Sequence, residues 1–402
     1  MKKIERWLFW AFIFSVPIQA RIILWQWKMP FNEWTSAFLW GTDLLLIFVF
    51  VFWIARDGLK SIKKPDILLI LILTVSALSV ANSIIPEVSW YRVAKLFEYM
   101  LLFFYVKDLD ISRDILKVVV ASAIFQSIVG IGQFAIQSDF GIRLLGESVL
   151  DPLGTGVAVL ISGTDRILRA YGTTPHPNLL AVWLVVGLWS LWALYRAERK
   201  NILLLIGVFI LFGLFFTFSR TAIAIWLAGS IVLWFWHRRN SLPIVYTTII
   251  VGIIFLIIWR PYVYARLRIS TDDDAVQQRL FYGRIADNAI KEHRWIGLGI
   301  GQFVPKLMDE FPLYPDFLYQ PAHMMFQLIA AEIGIIGFVI FIIFLLAVFI
   351  KSWRAPPVFA VIFTSIILLS LFDHYFWTLQ QGGLIWWGLL GVCFRGKILL
   401  DD

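Results

Sequence analysis

Apolar runs long enough to form membrane-spanning helices recur from one end of the chain to the other. A helix needs about 20 predominantly apolar residues to cross roughly 30 Å of hydrocarbon. On that basis the pattern predicts an all-α polytopic membrane protein of about twelve transmembrane helices, with residues 1–402 forming a single integral membrane domain. The predicted spans lie near residues 7–25, 34–54, 66–81, 90–106, 115–136, 177–195, 202–217, 221–236, 242–259, 324–350, 357–372 and 377–394.

The segments between these spans differ in charge on the two sides of the membrane. Three connections on one side are short and nearly free of basic residues, near 26–33, 82–89 and 373–376. Every connection on the other side carries Lys or Arg, including Lys60, Lys63, Lys64, Lys107, Arg196, Arg238, Arg239, Lys351 and Lys397. Because cytoplasmic loops retain basic residues, this asymmetry predicts that both termini are cytoplasmic.

Two connections on the predicted outer side are long, and long ordered loops are usually functional. In the first outer loop, residues 137–176, two short β-branched runs flank Ser162 to Asp165 and predict a hairpin. The large outer loop, residues 260–323, precedes the tenth span and contains an amphipathic pattern that predicts a helix from about Gln277 to His293. We therefore expect the candidate site in the large outer loop.

Composition supports a membrane class and argues against several others. Apolar and aromatic residues make up 60% of the chain and charged residues 15%, against about 25% charged residues in a soluble domain. The net charge of +8 comes from basic residues placed between apolar runs, so nucleic acid is not a predicted partner. Cys393 is the single cysteine, and the consecutive carboxylates Asp272 to Asp274 cannot all face one ion, so we predict neither a metal site nor a cofactor.

Two arginines near the outer membrane face are candidates for binding an anion. Arg220 lies at a tight turn between two spans, and Arg284 lies on the predicted loop helix. An arginine at the membrane is costly unless it is hydrated or paired, and its planar fork suits an anionic headgroup. The alternatives are that Arg220 is a snorkelling anchor and that Arg284 is a solvated residue paired with Asp287.

Two histidines near the outer face are candidates for proton transfer. His323 stands where the large loop enters the tenth span, and His176 stands just before the sixth span. An unperturbed histidine exchanges its proton near neutral pH. The alternative for both residues is a role as a helix cap or interfacial residue.

Four stretches of this sequence match a family. They are RAYGTTPHPNLLAVWL (Arg169 to Leu184), FTFSRTA (Phe216 to Ala222), GRIADNAIKEHRWIGLGIGQF (Gly283 to Phe303) and AHMMFQLIAAEIGIIGF (Ala322 to Phe338). In their order and spacing the chain resembles the O-antigen ligase and O-antigen polymerase family, bacterial membrane enzymes that use polyprenyl-pyrophosphate-linked glycans. The resemblance covers roughly residues 165 to 345.

The resemblance implies roles for particular residues. It assigns Arg220 and Arg284 to pyrophosphate binding and His323 to the base that activates the acceptor hydroxyl. Arg169, His176 and Arg279 are supporting candidates. The sequence departs from the family at Met324, where Asn more often follows the histidine.

The resemblance also implies an activity: a metal-independent, inverting glycosyltransferase at the outer face of the cytoplasmic membrane. Its donor would be a polyprenyl-pyrophosphate-linked glycan. A lipid A core acceptor would make it an O-antigen ligase, which we favour. A growing glycan would make it a polymerase, and a protein acceptor an oligosaccharyltransferase. The rivals from other classes are a lipid-linked glycan transporter and a non-enzymatic membrane scaffold.

Overall fold

The computed structural model describes residues 2–57, 67–237, 241–267 and 274–396. Within these ranges the chain is mainly helical and carries two short antiparallel hairpins. Several residues used above lie outside the described ranges: Lys60, Lys63, Lys64, Arg238, Arg239, Asp272, Asp273 and Lys397.

The helices and strands follow one another along the chain, with one long connection between residues 136 and 177 and a second between residues 258 and 325. The first part of the chain contains α1 (Lys2–Ser15), β1 (Arg21–Gln26), β2 (Ser36–Trp40), α2 (Gly41–Asp57), α3 (Ile67–Ser79), α4 (Pro86–Asp108), α5 (Arg113–Ile136), β3 (Val159–Ser162) and β4 (Asp165–Leu168). The second part contains α6 (Pro177–Glu198), α7 (Asn201–Phe216), α8 (Arg220–His237), α9 (Leu242–Ile258), α10 (Arg260–Leu267), α11 (Asp274–Glu292), α12 (Phe303–Glu310), α13 (Met325–Trp353), α14 (Pro357–Ser370), α15 (Tyr375–Thr378) and α16 (Gln380–Arg395).

Several of these helices have the length and composition of membrane spans. Among the described residues, α5, α6 and α13 are long and apolar enough to cross a membrane. Helices α9 and α10 meet the criterion together but are bent by 94° at their junction. Shorter apolar helices include α7 and α14. The described part of the chain is therefore mainly helical, with three helices, or four if the bent pair is one span, that could cross a membrane, and the total of about twelve spans stays a prediction.

The first two predicted spans have the wrong boundaries. Helix α1 ends at Ser15 instead of continuing to residue 25, and α2 begins at Gly41 instead of residue 34. Between them β1 pairs antiparallel with β2, with Arg21 opposite Trp40. Helix α1 ends because Pro17 disfavours helical backbone at the residue before it, and the β-branched and aromatic residues of β1 suit a strand.

The described part of the large outer loop folds against the bundle through a small apolar core of its own. Tyr282 and Ile285 of α11 pack with Phe303 and Leu307 around α12 and with Leu328 at the start of α13. This core holds one face of α11 over the beginning of α13. The strands β3 and β4 of the first outer loop pair around Ser162 and Asp165.

Helix α13 is broken at Gly334, where φ is 70° and ψ is 177°. The segment after α11 fills the break with backbone hydrogen bonds. Leu298 N donates to Ala331 O at 3.0 Å, and Ile335 N donates to Arg294 O at 2.9 Å. The break therefore fixes the loop to the helix whose first turn follows His323.

Candidate functional site

The candidate site forms where the first outer loop, the turn before α8, helix α11 and the segment between α14 and α16 meet. Arg169 follows β4 and is buried. Its Nε donates to Thr217 O at 2.6 Å, and its Nη2 donates to Asn178 Oδ1 at 2.7 Å. Burial lowers the pKa of Arg169 to about 10, so the guanidinium keeps its charge at neutral pH.

His176 caps the first turn of α6 with its side chain. Its Nδ1 accepts from the backbone N–H of Asn178 at 3.2 Å, which is the local reason that α6 begins there. The hydroxyl of Tyr375 lies 2.7 Å from the same nitrogen. Burial, followed by the charge of Arg169, holds the pKa of His176 well below its usual range. The imidazole is neutral at physiological pH.

The segment Asp373–His374–Tyr375 contributes groups that the sequence analysis missed. Asn178 Nδ2 donates to Asp373 Oδ2 at 3.0 Å, which ties the segment to the start of α6. Burial raises the pKa of Asp373 to about 6, and the opposing effect of Arg279 is smaller. The only sequence signal was three consecutive polar side chains in a very short connection between two apolar runs.

His323 lies between two aromatic neighbours just before α13. Its ring stacks on Tyr282 at a centroid distance of 5.7 Å and meets His374 edge to face at 5.7 Å. Its Nδ1 is buried and has no hydrogen-bond partner among the described residues. Burial, followed by the charge of Arg279, lowers the pKa of His323 to about 4. His323 is therefore a neutral imidazole in a cationic setting.

His374, which packs against His323, is held by two further contacts. Its Nδ1 lies 2.6 Å from the hydroxyl of Thr378, one turn further on. Trp34 packs edge to face on the ring at 5.6 Å. Burial keeps the pKa of His374 well below its usual range.

Two arginines bring positive charge to this site from different elements. Arg220 opens α8, and its Nη1 donates to the carbonyl of Arg266 at 3.1 Å. Its charge acts on Arg169. Arg279 is exposed on α11, and its charge acts on both His323 and Asp373. An anion entering the site would therefore meet guanidinium groups from at least two directions.

Arg284 lies on the same helix as Arg279 but on another face. Arg284 comes five residues after Arg279, which corresponds to a rotation of about 140° around the helix axis. Arg284 is exposed and forms no hydrogen bond or ion pair with any described residue. Asp287, its expected partner, instead accepts from Gln327 Nε2 at 2.7 Å. The structure therefore brings together five of the six sequence-predicted residues, Arg169, His176, Arg220, Arg279 and His323, and leaves Arg284 outside the cluster.

Comparison with known families agrees with the resemblance noted from the sequence. Residues 202–342 match the family model described as O-antigen ligase. A search of the curated proteins finds no match for the chain. The matched region runs from α7 into α13 and so includes Arg220, Arg279 and His323. Within the described ranges, no group of three or more His, Cys, Asp or Glu residues could hold a metal ion.

Proposed function

Taking the O-antigen ligase region at residues 202–342 as the premise, we propose that this protein is a glycosyltransferase of the outer face of the cytoplasmic membrane. It moves a polyprenyl-pyrophosphate-linked glycan to an acceptor hydroxyl, and we favour the lipid A core as the acceptor. The alternative acceptor is a growing glycan, which would make the protein a repeat-unit polymerase. The large outer loop and the cytoplasmic termini belong to the same proposal.

One observation carries the proposal: a half-buried, neutral histidine with a buried Nδ1 lies beside a group of arginines that come from separate elements. The charge of Arg279 acts on both His323 and Asp373, the charge of Arg169 also acts on Asp373, and the charge of Arg220 acts on Arg169. Anion binding requires such positive charge, and general-base catalysis requires an unprotonated imidazole. The combination suits a donor that carries a pyrophosphate and an acceptor that must lose a proton.

The arginines act on the leaving group. Attack by the acceptor oxygen forms a bond to the anomeric carbon and breaks the bond from that carbon to the phosphate oxygen. The electron pair leaves with the polyprenyl pyrophosphate, whose negative charge the guanidinium groups of Arg220 and Arg279 offset. A pyrophosphate is already a competent leaving group, so we propose a metal-independent displacement that inverts the anomeric configuration.

His323 receives the proton of the acceptor hydroxyl. A pKa of about 4 makes His323 fully unprotonated before the donor binds, but also weakly basic. The negative charge of a bound pyrophosphate opposes that of Arg279 and raises the pKa of His323 toward its usual range. Donor binding thus prepares the base for the acceptor.

Arg279 and Arg284 are alternative candidates for the arginine of α11 that binds the pyrophosphate. The family resemblance assigned pyrophosphate binding to Arg284, and that assignment stays a prediction. The electrostatic effect of Arg279 on His323 and Asp373 supports Arg279 for the role. Arg284 would need α11 to rotate, or the donor to extend around the helix, to act on the same phosphates.

A transporter for lipid-linked glycans is a second candidate, favoured by a buried ion pair between α2 and α4. Lys95 Nζ on α4 lies 2.8 Å from Asp43 Oδ1 on α2, and both side chains are buried. Ionisable groups within a membrane domain often mark a transport pathway. The same pair could instead fix the packing of α2 against α4.

The test is to reconstitute purified protein in liposomes with a labelled polyprenyl-pyrophosphate glycan. Lipid A core, a glycan repeat unit and a peptide are offered separately on the outer side. A covalent product with lipid A core supports the ligase, and a lengthened glycan supports the polymerase. Glycan that crosses the bilayer without any covalent product would contradict the glycosyltransferase and support the transporter.

A further inference from the structure

The hydrogen bonds around His176 fix its tautomer. The backbone N–H of Asn178 can only donate, so Nδ1 at 3.2 Å must be an acceptor. The hydroxyl of Tyr375 lies 2.7 Å from the same nitrogen and therefore donates to it. The carboxylate of Asp373 is also within reach of this hydroxyl. Nδ1 carries no proton, because the N–H of Asn178 points at it, so the proton between Nδ1 and the Tyr375 oxygen must come from the hydroxyl. The proton of the neutral ring is consequently on Nε2.

The Nε2–H group is available to a ligand. It has no hydrogen-bond partner among the described residues, and it is not one of the fully buried atoms that lack a partner. The rings of Tyr171 and Tyr375 flank the imidazole, with centroids at 6.3 Å and 5.3 Å. The positive charges of Arg169 and Arg266 act on the same ring. An anionic ligand attracted by these positive charges would find the neutral Nε2–H donor beside them.

We propose that His176 donates a hydrogen bond from Nε2 to a phosphate oxygen of the lipid-linked donor, and that Tyr375 is a positioning residue that keeps the required tautomer. This inference rests on the proposed function and adds a second kind of phosphate contact, a neutral donor, to the guanidinium groups of the arginines. Tyr375 acts only through His176. His176 has two separable roles: its Nδ1 caps α6, and its Nε2 binds the phosphate.

Two amide substitutions separate these roles. In His176→Asn the side-chain oxygen takes the place of Nδ1 and keeps the cap, but nothing reaches the place of Nε2. In His176→Gln the side-chain nitrogen reaches the place of Nε2 and keeps the donor, while the cap is lost. We expect kcat/KM for transfer to fall about 100-fold in the Asn variant, which is the effect of losing one preorganised donor, and much less in the Gln variant.

Binding of inorganic pyrophosphate gives a readout that does not require transfer. Its affinity for the purified protein, without acceptor, should be lower in His176→Asn than in His176→Gln, although the Gln variant unfolds at the lower temperature. If His176 had only a structural role, the order of the two affinities would be reversed, because the Asn variant keeps the cap of α6 and the Gln variant loses it. An Asn variant at least as active and as tight-binding as the Gln variant overturns the proposal.

Tyr375→Phe tests the positioning role through non-additivity. In the natural background, Tyr375→Phe should lower pyrophosphate affinity and transfer about tenfold, the lower end of the cost of removing the partner behind a functional histidine. In the His176→Gln background it should have little further effect, because Gln has no tautomer to fix. Equal losses in both backgrounds would show that Tyr375 acts independently of His176 and would overturn its assignment.

The pyrophosphate readout also separates the two levels of inference. Absence of transfer by the natural protein with every acceptor, together with the expected order of pyrophosphate affinities, would contradict the proposed function and leave the phosphate site intact. Transfer by the natural protein with the opposite order of affinities would contradict only the role of His176.

Discussion

Gly334→Ala should destabilise the protein strongly, because Gly334 is where residues 294–299 pack into the break in helix α13. A Cβ atom at this position would lie 2.2 Å from Trp295 O and 2.6 Å from Gly297 N, well inside the distance that real Cβ atoms keep. The backbone at Gly334, with φ of 70° and ψ of 177°, belongs to a region populated almost only by glycine. The substitution therefore adds both an overlap and backbone strain.

The magnitude follows from the contacts at the break. Backbone strain of this kind costs about 1–3 kcal/mol. Relieving the overlap would move residues 294–299 away from α13 and weaken hydrogen bonds such as Gly299 N to Glu332 O at 3.0 Å, each contributing about 1 kcal/mol. With at least two of these bonds lost, we expect a loss of about 3 kcal/mol or more in the free energy of unfolding.

The assay is unfolding of the purified protein in one detergent, with Gly252→Ala as the matched control. Gly252 lies within α9, and its nearest neighbour to an added Cβ is Phe215 Cζ at 3.9 Å. This control should be neutral or more stable by up to about 1 kcal/mol, because alanine favours a helix over glycine. An unfolding midpoint for Gly334→Ala that equals the natural protein's would refute the reasoning about the break.

Two further predictions concern the site. Arg279→Gln should lower transfer by about 100-fold or more, whereas Arg284→Gln should change it by less than about tenfold. The reason is that Arg279 acts on His323 and, together with Arg169, on Asp373, whereas Arg284 is exposed on another face of α11. At matched protein amounts, a larger loss of transfer in Arg284→Gln than in Arg279→Gln would contradict this prediction. His323 should make stability depend on pH, because its folded pKa of about 4 lies below its ordinary value of 6.5. The unfolded chain then binds the proton first, so stability is complete above pH 6.5 and is lost as the pH falls toward 4, at no more than about 1.4 kcal/mol per pH unit. His176 and His374, whose pKa values are also lowered, contribute in the same direction. His323→Gln should therefore make the dependence of the unfolding midpoint on pH less steep between pH 6.5 and 4.5, and an unchanged slope would contradict the partial burial of a neutral imidazole at this position.

The sequence predicted elements that depend on adjacent residues better than it predicted contacts between residues far apart in the chain. The β3–β4 hairpin lies where two β-branched runs flank Ser162 to Asp165, and α11 lies where an amphipathic pattern predicts a helix, because both signals come from adjacent residues. The pairing of β1 with β2 was missed because an apolar run of that length also suits a membrane helix. Only the contact between the two strands decides between these structures.

In the candidate site, too, the residues marked by a local pattern could be predicted and the contacts between distant residues could not. Arg220 and His323 could be found from their positions at the ends of apolar runs. The choice between Arg279 and Arg284 depends on which face of α11 packs against α13, and our proposal of Arg279 rests in part on the packing of Tyr282 at that interface. The bond from Tyr375 to His176 joins residues 199 positions apart, so no local pattern could predict it.

The central claim is that His323 is the base of a glycosyl transfer, and the most direct test separates donor binding from transfer. Purified natural protein, His323→Gln and the control Met324→Leu, which changes the exposed neighbouring side chain, are each given a labelled polyprenyl-pyrophosphate glycan and lipid A core. We expect all three to bind the donor similarly and only His323→Gln to lose transfer, by about 100-fold or more, the contribution of a positioned general base. Transfer by His323→Gln at the rate of the natural protein would contradict the account.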